Sequence, residues 1–210
     1  MISVIMPTMW KPSLVMATIK EIVEQPAVGE LIIIDNSETT TNMFDVIHTQ
    51  FPKVVYINEG KNTYVNPAWN KGASLAKYDK LLFVNDDVQT DWSFVNALEE
   101  YITEDKGMIG AGVSCWQYKE NYEGSGGIVP ISNRPNCYGC VFGIHKNSYT
   151  PIAEDLLIHY GDDWLFQKSG KQNYEITNWE MGGESEQTSG LVEFNAVKLV
   201  DKHNWFNKYK

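Results

Sequence analysis

At 210 residues the chain has room for one domain and for a core that needs no disulfide or structural metal. A formal charge of −10 and a pI near 4.8 exclude broad electrostatic binding to nucleic acid or anionic lipid, which rewards clustered Lys and Arg. No basic leader precedes the first apolar run, and no stretch reaches the roughly 18 apolar residues that cross a bilayer, so the expected location is the cytoplasm.

Residues 2–6 form a short run rich in Ile and Val that predicts a buried strand ending at Pro7. Ser13 reads as the cap of a helix over 14–25, with Leu14, Ile19, Ile22 and Val23 as its apolar stripe. Leu31-Ile32-Ile33-Ile34 predicts a second buried strand, stopped by Asp35-Asn36-Ser37. A helix near 42–50 and a strand near 53–57 follow. Asn66-Pro67 carries the signature of a helix start, for a helix reaching about Lys77. Leu81-Leu82-Phe83-Val84 predicts a fourth strand, halted at Asn85-Asp86-Asp87, and Asp91 caps a helix through Glu104.

Beyond residue 107 the pattern changes. Strands are expected at 108–113, 138–144, 173–177 and 194–200, with a helix near 162–169. Two polar, Gly-containing stretches, 123–127 and 182–190, read as loops, the first a candidate lid. Cys137 and Cys140 have a C-x-x-C spacing, but no second pair completes a zinc site and no thioredoxin-like context surrounds them. With Cys115 they read as reduced thiols.

Continuous apolar strands alternating with helices predict an α/β fold, a mostly parallel sheet covered on both faces. Ligands of such sheets bind beyond the carboxyl ends of the strands. The polar groups there are Pro7-Thr8, Asp35-Asn36-Ser37, Asn58-Glu59-Gly60 and Asn85-Asp86-Asp87. Adjacent carboxylates at a strand end repel each other and call for a cation. A hard divalent ion there takes one or two carboxylates and completes its shell with substrate phosphates.

Four segments, in order, resemble the family-two glycosyltransferases of GT-A fold. They are Ser3-Val4-Ile5-Met6-Pro7-Thr8, Ile32-Ile33-Ile34-Asp35-Asn36-Ser37, the helix carrying Asn70-Lys71-Gly72, and Leu81-Leu82-Phe83-Val84-Asn85-Asp86-Asp87-Val88. The resemblance implies a Rossmann-like single domain over 1–210, with a nucleotide-sugar half at 1–106 and an acceptor half at 107–210. It implies a nucleotide-sugar donor, a UDP-sugar by the fit of Asp35 to uracil, and a glycan or other hydroxyl acceptor. Pro7, Thr8 and Asp35 would meet the base, Asn70 the ribose or phosphates, and Asn85 and Asp86 the ribose and sugar. Asp87 would hold Mn2+ or Mg2+, with His203 as the late histidine that completes the metal shell in similar enzymes. Asn85 stands where the family's Asp-x-Asp pattern begins with Asp.

In the second half, Tyr160-Gly161-Asp162-Asp163-Trp164 matches the family's acidic pair at a helix start. Inverting displacement at an anomeric carbon needs a base for the acceptor hydroxyl, and Asp163, then Asp162, is the candidate. Trp116, Trp164 and Trp179 are expected on the acceptor side, where aromatic faces stack on sugars. His48, His145 and His159 read as structural. Two rivals are weighed. A sugar nucleotidyltransferase would need a Gly-rich basic loop where Pro7-Thr8-Met9-Trp10-Lys11-Pro12 stands. A non-catalytic nucleotide- or glycan-binding module would show no turnover.

Overall fold

The computed structural model describes residues 1–38, 43–116, 126–183 and 191–210, without the Phe44 side chain. Its first half alternates strand and helix: β1 (Ile2–Thr8), α1 (Val15–Glu24), β2 (Val28–Asp35), α2 (Met43–Gln50), β3 (Val54–Asn58), α3 (Val65–Leu75), β4 (Lys80–Val84). Then come β5 (Val88–Thr90), α4 (Phe94–Tyr101), β6 (Ile109–Ala111), β7 (Gly127–Ile131), β8 (Val141–His145), α5 (Gly161–Lys168), β9 (Asn173–Thr177), β10 (Met181–Gly183) and α6 (Asn195–Asn204).

Eight strands form one sheet in the order β3-β2-β1-β4-β8-β6-β9-β7, and β5 pairs with β10 in a separate ribbon. The β3-β2-β1-β4 edge is all parallel, whereas β8 runs antiparallel to both its neighbours. Strand β1 is buried along its whole length because successive side chains point to opposite faces and both faces are covered. Val4 and Met6 enter one core with Val15, Ile19 and Ile22 of α1. Ile5 enters the other with Ala68, Trp69 and Ala73 of α3. Gly72 sets how closely α3 approaches β1, since a Cβ there would fall 2.4 Å from Cγ2 of Ile5.

Several local expectations are corrected. Residues 194–200 are not a strand: a 3-10 turn, Val192–Phe194, leads into α6. The reason is Asp201, which is fully buried and accepts the backbone N–H groups of Leu157, Ile158 and His159 at 2.7–2.8 Å. With Asp201 turned inward on the helix, Leu199 and Val200 face out. Asn66 is not a cap but lies inside α3, donating from Nδ2 to the carbonyls of Leu156 and His159. Leu14 rather than Ser13 occupies the cap position of α1. Residues 138–140 form a 3-10 turn ahead of β8, and β5, β7 and β10 are strands the apolar pattern did not announce. Of the two polar stretches, 123–125 and 184–190 lie outside the described residues, while Gly127 already belongs to β7.

Candidate active site

The carboxyl ends of β1, β2 and β4 open onto a cavity of about 400 Å³. Pro7 and Thr8 end β1, Asn36 follows β2, and Asn85-Asp86-Asp87 follows β4, so each reaches the cavity because its strand stops there. The Thr8 hydroxyl donates to Oδ2 of Asp86 at 2.6 Å and ties two of these ends together. Asp86 is nearly buried. Burial pushes its carboxyl up to about 6, and the neighbouring charge of Asp87 adds to this against the hydrogen bonds from Thr8 and the Met9 backbone. The β5–β10 ribbon braces the turn from behind, since a Cβ on Gly183 would fall 2.3 Å from the Asp87 carbonyl oxygen.

The facing wall comes from the second half. Asp162 and Asp163 open α5, after Tyr160 turns the chain at a left-handed φ of 64°. Tyr160 stacks on Trp205 at 5.3 Å between centroids, which holds that turn. Arg134, from the segment after β7, binds both acids: Nε donates to Oδ1 of Asp163 at 2.8 Å and Nη1 to Oδ2 of Asp162 at 2.9 Å. Burial raises the Asp162 carboxyl above its ordinary value, Arg134 pulls it down, and the Asp163 charge pushes it up again, with a net rise. The 3-10 turn at Tyr138–Cys140 presses on the same group: a Cβ on Gly139 would meet Oδ2 of Asp162 at 2.8 Å.

The structure thus gathers Pro7, Thr8, Asn85, Asp86, Asp87, Asp162 and Asp163 around one cavity. Three other candidates stand apart. Asp35 lies behind the wall, 1% exposed, with its oxygens taken by the Ser37 N–H, the Tyr56 hydroxyl and the Asn58 amide. Burial raises its carboxyl, but the bonds from Ser37, Tyr56 and Trp10 outweigh that and hold it below its ordinary value. Its neighbour Asn36 lines the cavity instead. Asn70 staples α3 to the segment before α5, donating to the Ile152 carbonyl at 2.9 Å and accepting from the Tyr149 hydroxyl and Ile152 N–H at 2.8 Å. His203 sits exposed on α6 against Asn207, away from the cavity residues. None of Trp116, Trp164 and Trp179 lines the cavity, and Trp179 is core, its indole N–H donating to the Thr90 hydroxyl.

Sequence reasoning missed Arg134, whose one advance signal is that it is the only arginine of the chain. It also missed Trp69, His159 and Phe194 on the cavity wall: Trp69 sits in the family-like helix without an assigned role, His159 reads as structural, and Phe194 carries no motif. Burial and then the charge of Lys198 lower the imidazole pKa of His159, against the pull of Asp201 and Asp163.

The oxygen donors after β4 fit a hard divalent cation. Burial and the Asp87 charge raise the Asp86 carboxyl to about 6, a cost of ionisation that a cation relieves. Among the described residues, no three His, Cys, Asp or Glu side chains converge as a protein-only cage. The donor set therefore matches an ion shared with substrate phosphates better than one enclosed by protein.

A family model described as "Glycosyl transferase family 2" matches residues 3–148. Among solved structures, the chain superposes on S. aureus TarS 1–349 with a TM-score of 0.63 at 13% identity, covering 100% of this chain and 66% of that one. The same TarS fragment in complex with UDP-GlcNAc gives 0.63 at 12% identity, covering 100% and 68%. GalNAc-T7 with UDP, GalNAc and Mn2+ gives 0.68 at 13% identity, covering 99% of this chain and 48% of that one. At these identities the likeness is one of fold. No curated protein matches the chain.

Proposed function

The chain belongs to glycosyl transferase family 2, and on that premise we propose that it transfers a sugar from a nucleotide-sugar donor to an acceptor hydroxyl with inversion. One observation carries this reading: a single cavity has the Asn85-Asp86-Asp87 turn on one wall and the Arg134-bound pair Asp162 and Asp163 on the other. The first wall suits a diphosphate, the second a hydroxyl that must lose a proton.

In this reading the donor lies along Pro7, Thr8, Asn36 and Asp86. Asp87, with Asn85 beside it, would hold Mn2+ or Mg2+, whose positive charge would stabilise the departing diphosphate. Asp163 takes the acceptor proton during the attack, and Arg134 keeps it aimed. Asp162 is the second candidate for base. Asp35 and Asn70 act through the wall they hold rather than by touching the donor. A UDP-sugar is the proposed donor, in keeping with the uridine nucleotides of the TarS and GalNAc-T7 complexes. Residues 1–106 form the donor half and 107–210 the acceptor half of one domain, in keeping with a sheet that runs through both. No described helix is long and apolar enough to cross a membrane. Cys115, Cys137 and Cys140 form no disulfide.

Calorimetric titration with UDP and with GDP, each with and without Mn2+, tests the donor half. Metal-dependent binding of UDP that vanishes in Asp87→Ala supports the reading. An Asp87→Ala protein that binds and transfers like the parent would refute it.

A further inference from the structure

The C-terminal segment leaves large apolar side chains in solvent. On the inner side of α6, Asp201 is fully buried on the Leu157, Ile158 and His159 N–H groups, Asn204 donates to the Asp155 carbonyl at 2.8 Å, and Trp205 of the turn that follows is buried against Tyr160. On the outer side Leu199 is 69% exposed, Val200 56% and Phe206 49%. An amphipathic helix of a water-soluble protein ordinarily keeps such residues on its inner face. Exposed Leu and Phe along one helical face mark a surface that meets something apolar.

Charge says what that is. Residues 195–210 carry Lys198, Lys202, Lys208 and Lys210 against one acidic residue, the buried Asp201, in a chain with 17 basic and 27 acidic residues overall. Lys202, Lys208 and Lys210 are exposed; Lys208 also reaches Asp155, and Lys210 sits 4.9 Å from the Phe206 ring centroid. Apolar side chains flanked by lysines on a surface helix fit the boundary of an anionic bilayer, with chains entering the acyl region and ammonium groups meeting lipid phosphates. Two-fold pairing of this face with itself would oppose lysine to lysine. We infer that α6 and the turn after it, through Leu199, Val200, Phe206, Lys202 and Lys210, dock the protein on an anionic membrane surface. The net charge of −10 conceals this face because most acidic residues lie outside residues 195–210; of the exposed lysines, Lys208 is paired with Asp155, which leaves Lys202 and Lys210 for the lipid. The inference is independent of the chemistry in the cavity.

Vesicle sedimentation tests it on the whole chain, with phosphatidylcholine vesicles and with vesicles carrying about 30 mol% phosphatidylglycerol. Binding is expected to the anionic vesicles and to fall with added salt. Leu199→Asp and the double variant Lys202→Glu, Lys210→Glu are each expected to weaken it by about tenfold or more. All these side chains are exposed, and unchanged circular dichroism and melting temperature will show that each variant folds. Failure to bind anionic vesicles, equal binding to neutral ones, or binding untouched by either variant overturns the inference. So does a dimer in sedimentation equilibrium that Leu199→Asp dissolves, which would assign the face to a second copy.

Discussion

The two walls of the cavity are made in different ways. On the β1–β4 side every site residue follows directly from a strand that ends: Thr8 at the end of β1, Asn36 after β2, Asp86 and Asp87 after β4. Parallel pairing puts those ends in register, so alignment of the polar residues is a by-product of the sheet. The opposite wall has no such common origin. Arg134 reaches Asp162 and Asp163 across 28 and 29 residues of chain, and the turn bearing those acids is held by Asp201 of α6 and by Trp205 just after it. The first wall is fixed by strand termini and tolerates change nearby. The second depends on a few long-range contacts, each of which matters individually.

That contrast is open to direct attack. The largest effect is expected from Asp163→Asn: a fall in kcat of about 10²–10⁴-fold with UDP affinity unchanged, read by steady-state kinetics beside calorimetry. Equal losses in binding and turnover would mean that the two walls are not separable. Next is Asp201→Ala, which removes the shared acceptor of three partly buried N–H groups and should cost about 1–3 kcal/mol in urea unfolding. A cost below about 1 kcal/mol would show that α6 does not hold the acidic turn. On the strand side, Gly72→Ala should cost about 1–3 kcal/mol by forcing α3 off Ile5, while Asp163 chemistry persists in the folded fraction.

Arg134→Lys keeps the charge but loses the two-pronged grip, and should lower kcat by about tenfold while Arg134→Ala lowers it further. Identical values for the two variants would leave charge alone as the role. The smallest effect is a pH dependence from Asp35. Its folded carboxyl lies below the ordinary value of 3.8, so its contribution is fully present above that value and is lost as pH falls through the lower folded one. Stability of the parent over Asp35→Asn, followed by urea unfolding, should therefore hold steady from pH 6 to about 4 and shrink below 3.8. An advantage that shrinks above pH 5 would contradict the hydrogen-bonded carboxylate seen here.

The same contrast shows how far the sequence could be read. The run Leu81 to Val84 and its stop at Asn85-Asp86-Asp87 predicted both a strand and a site residue, since burial on two faces leaves a continuous apolar signature. Asp35 and Asn70 sat in equally recognisable segments, yet their side chains turned into the protein to satisfy Tyr56, Asn58, Tyr149 and Ile152. A motif names a position on an element, and which groups saturate the side chain depends on neighbours distant in the chain. Residues 194–200 failed more completely, because they form a turn and a helix rather than a strand and two of their apolar residues, Leu199 and Val200, face out.

By itself, then, the sequence determined the alternating α/β order, the parallel edge and the acidic turn at its carboxyl end. Strand periodicity and strand termination are local properties, carried by a few consecutive residues. Only the tertiary structure decided that the lone arginine binds the acidic pair, that Asp35 stands behind the wall, and that α6 turns its aspartate inward and its leucine outward. Those outcomes depend on which buried donors and charges remain to be satisfied once the sheet has formed, and segments 28 to 44 residues apart supply the partners.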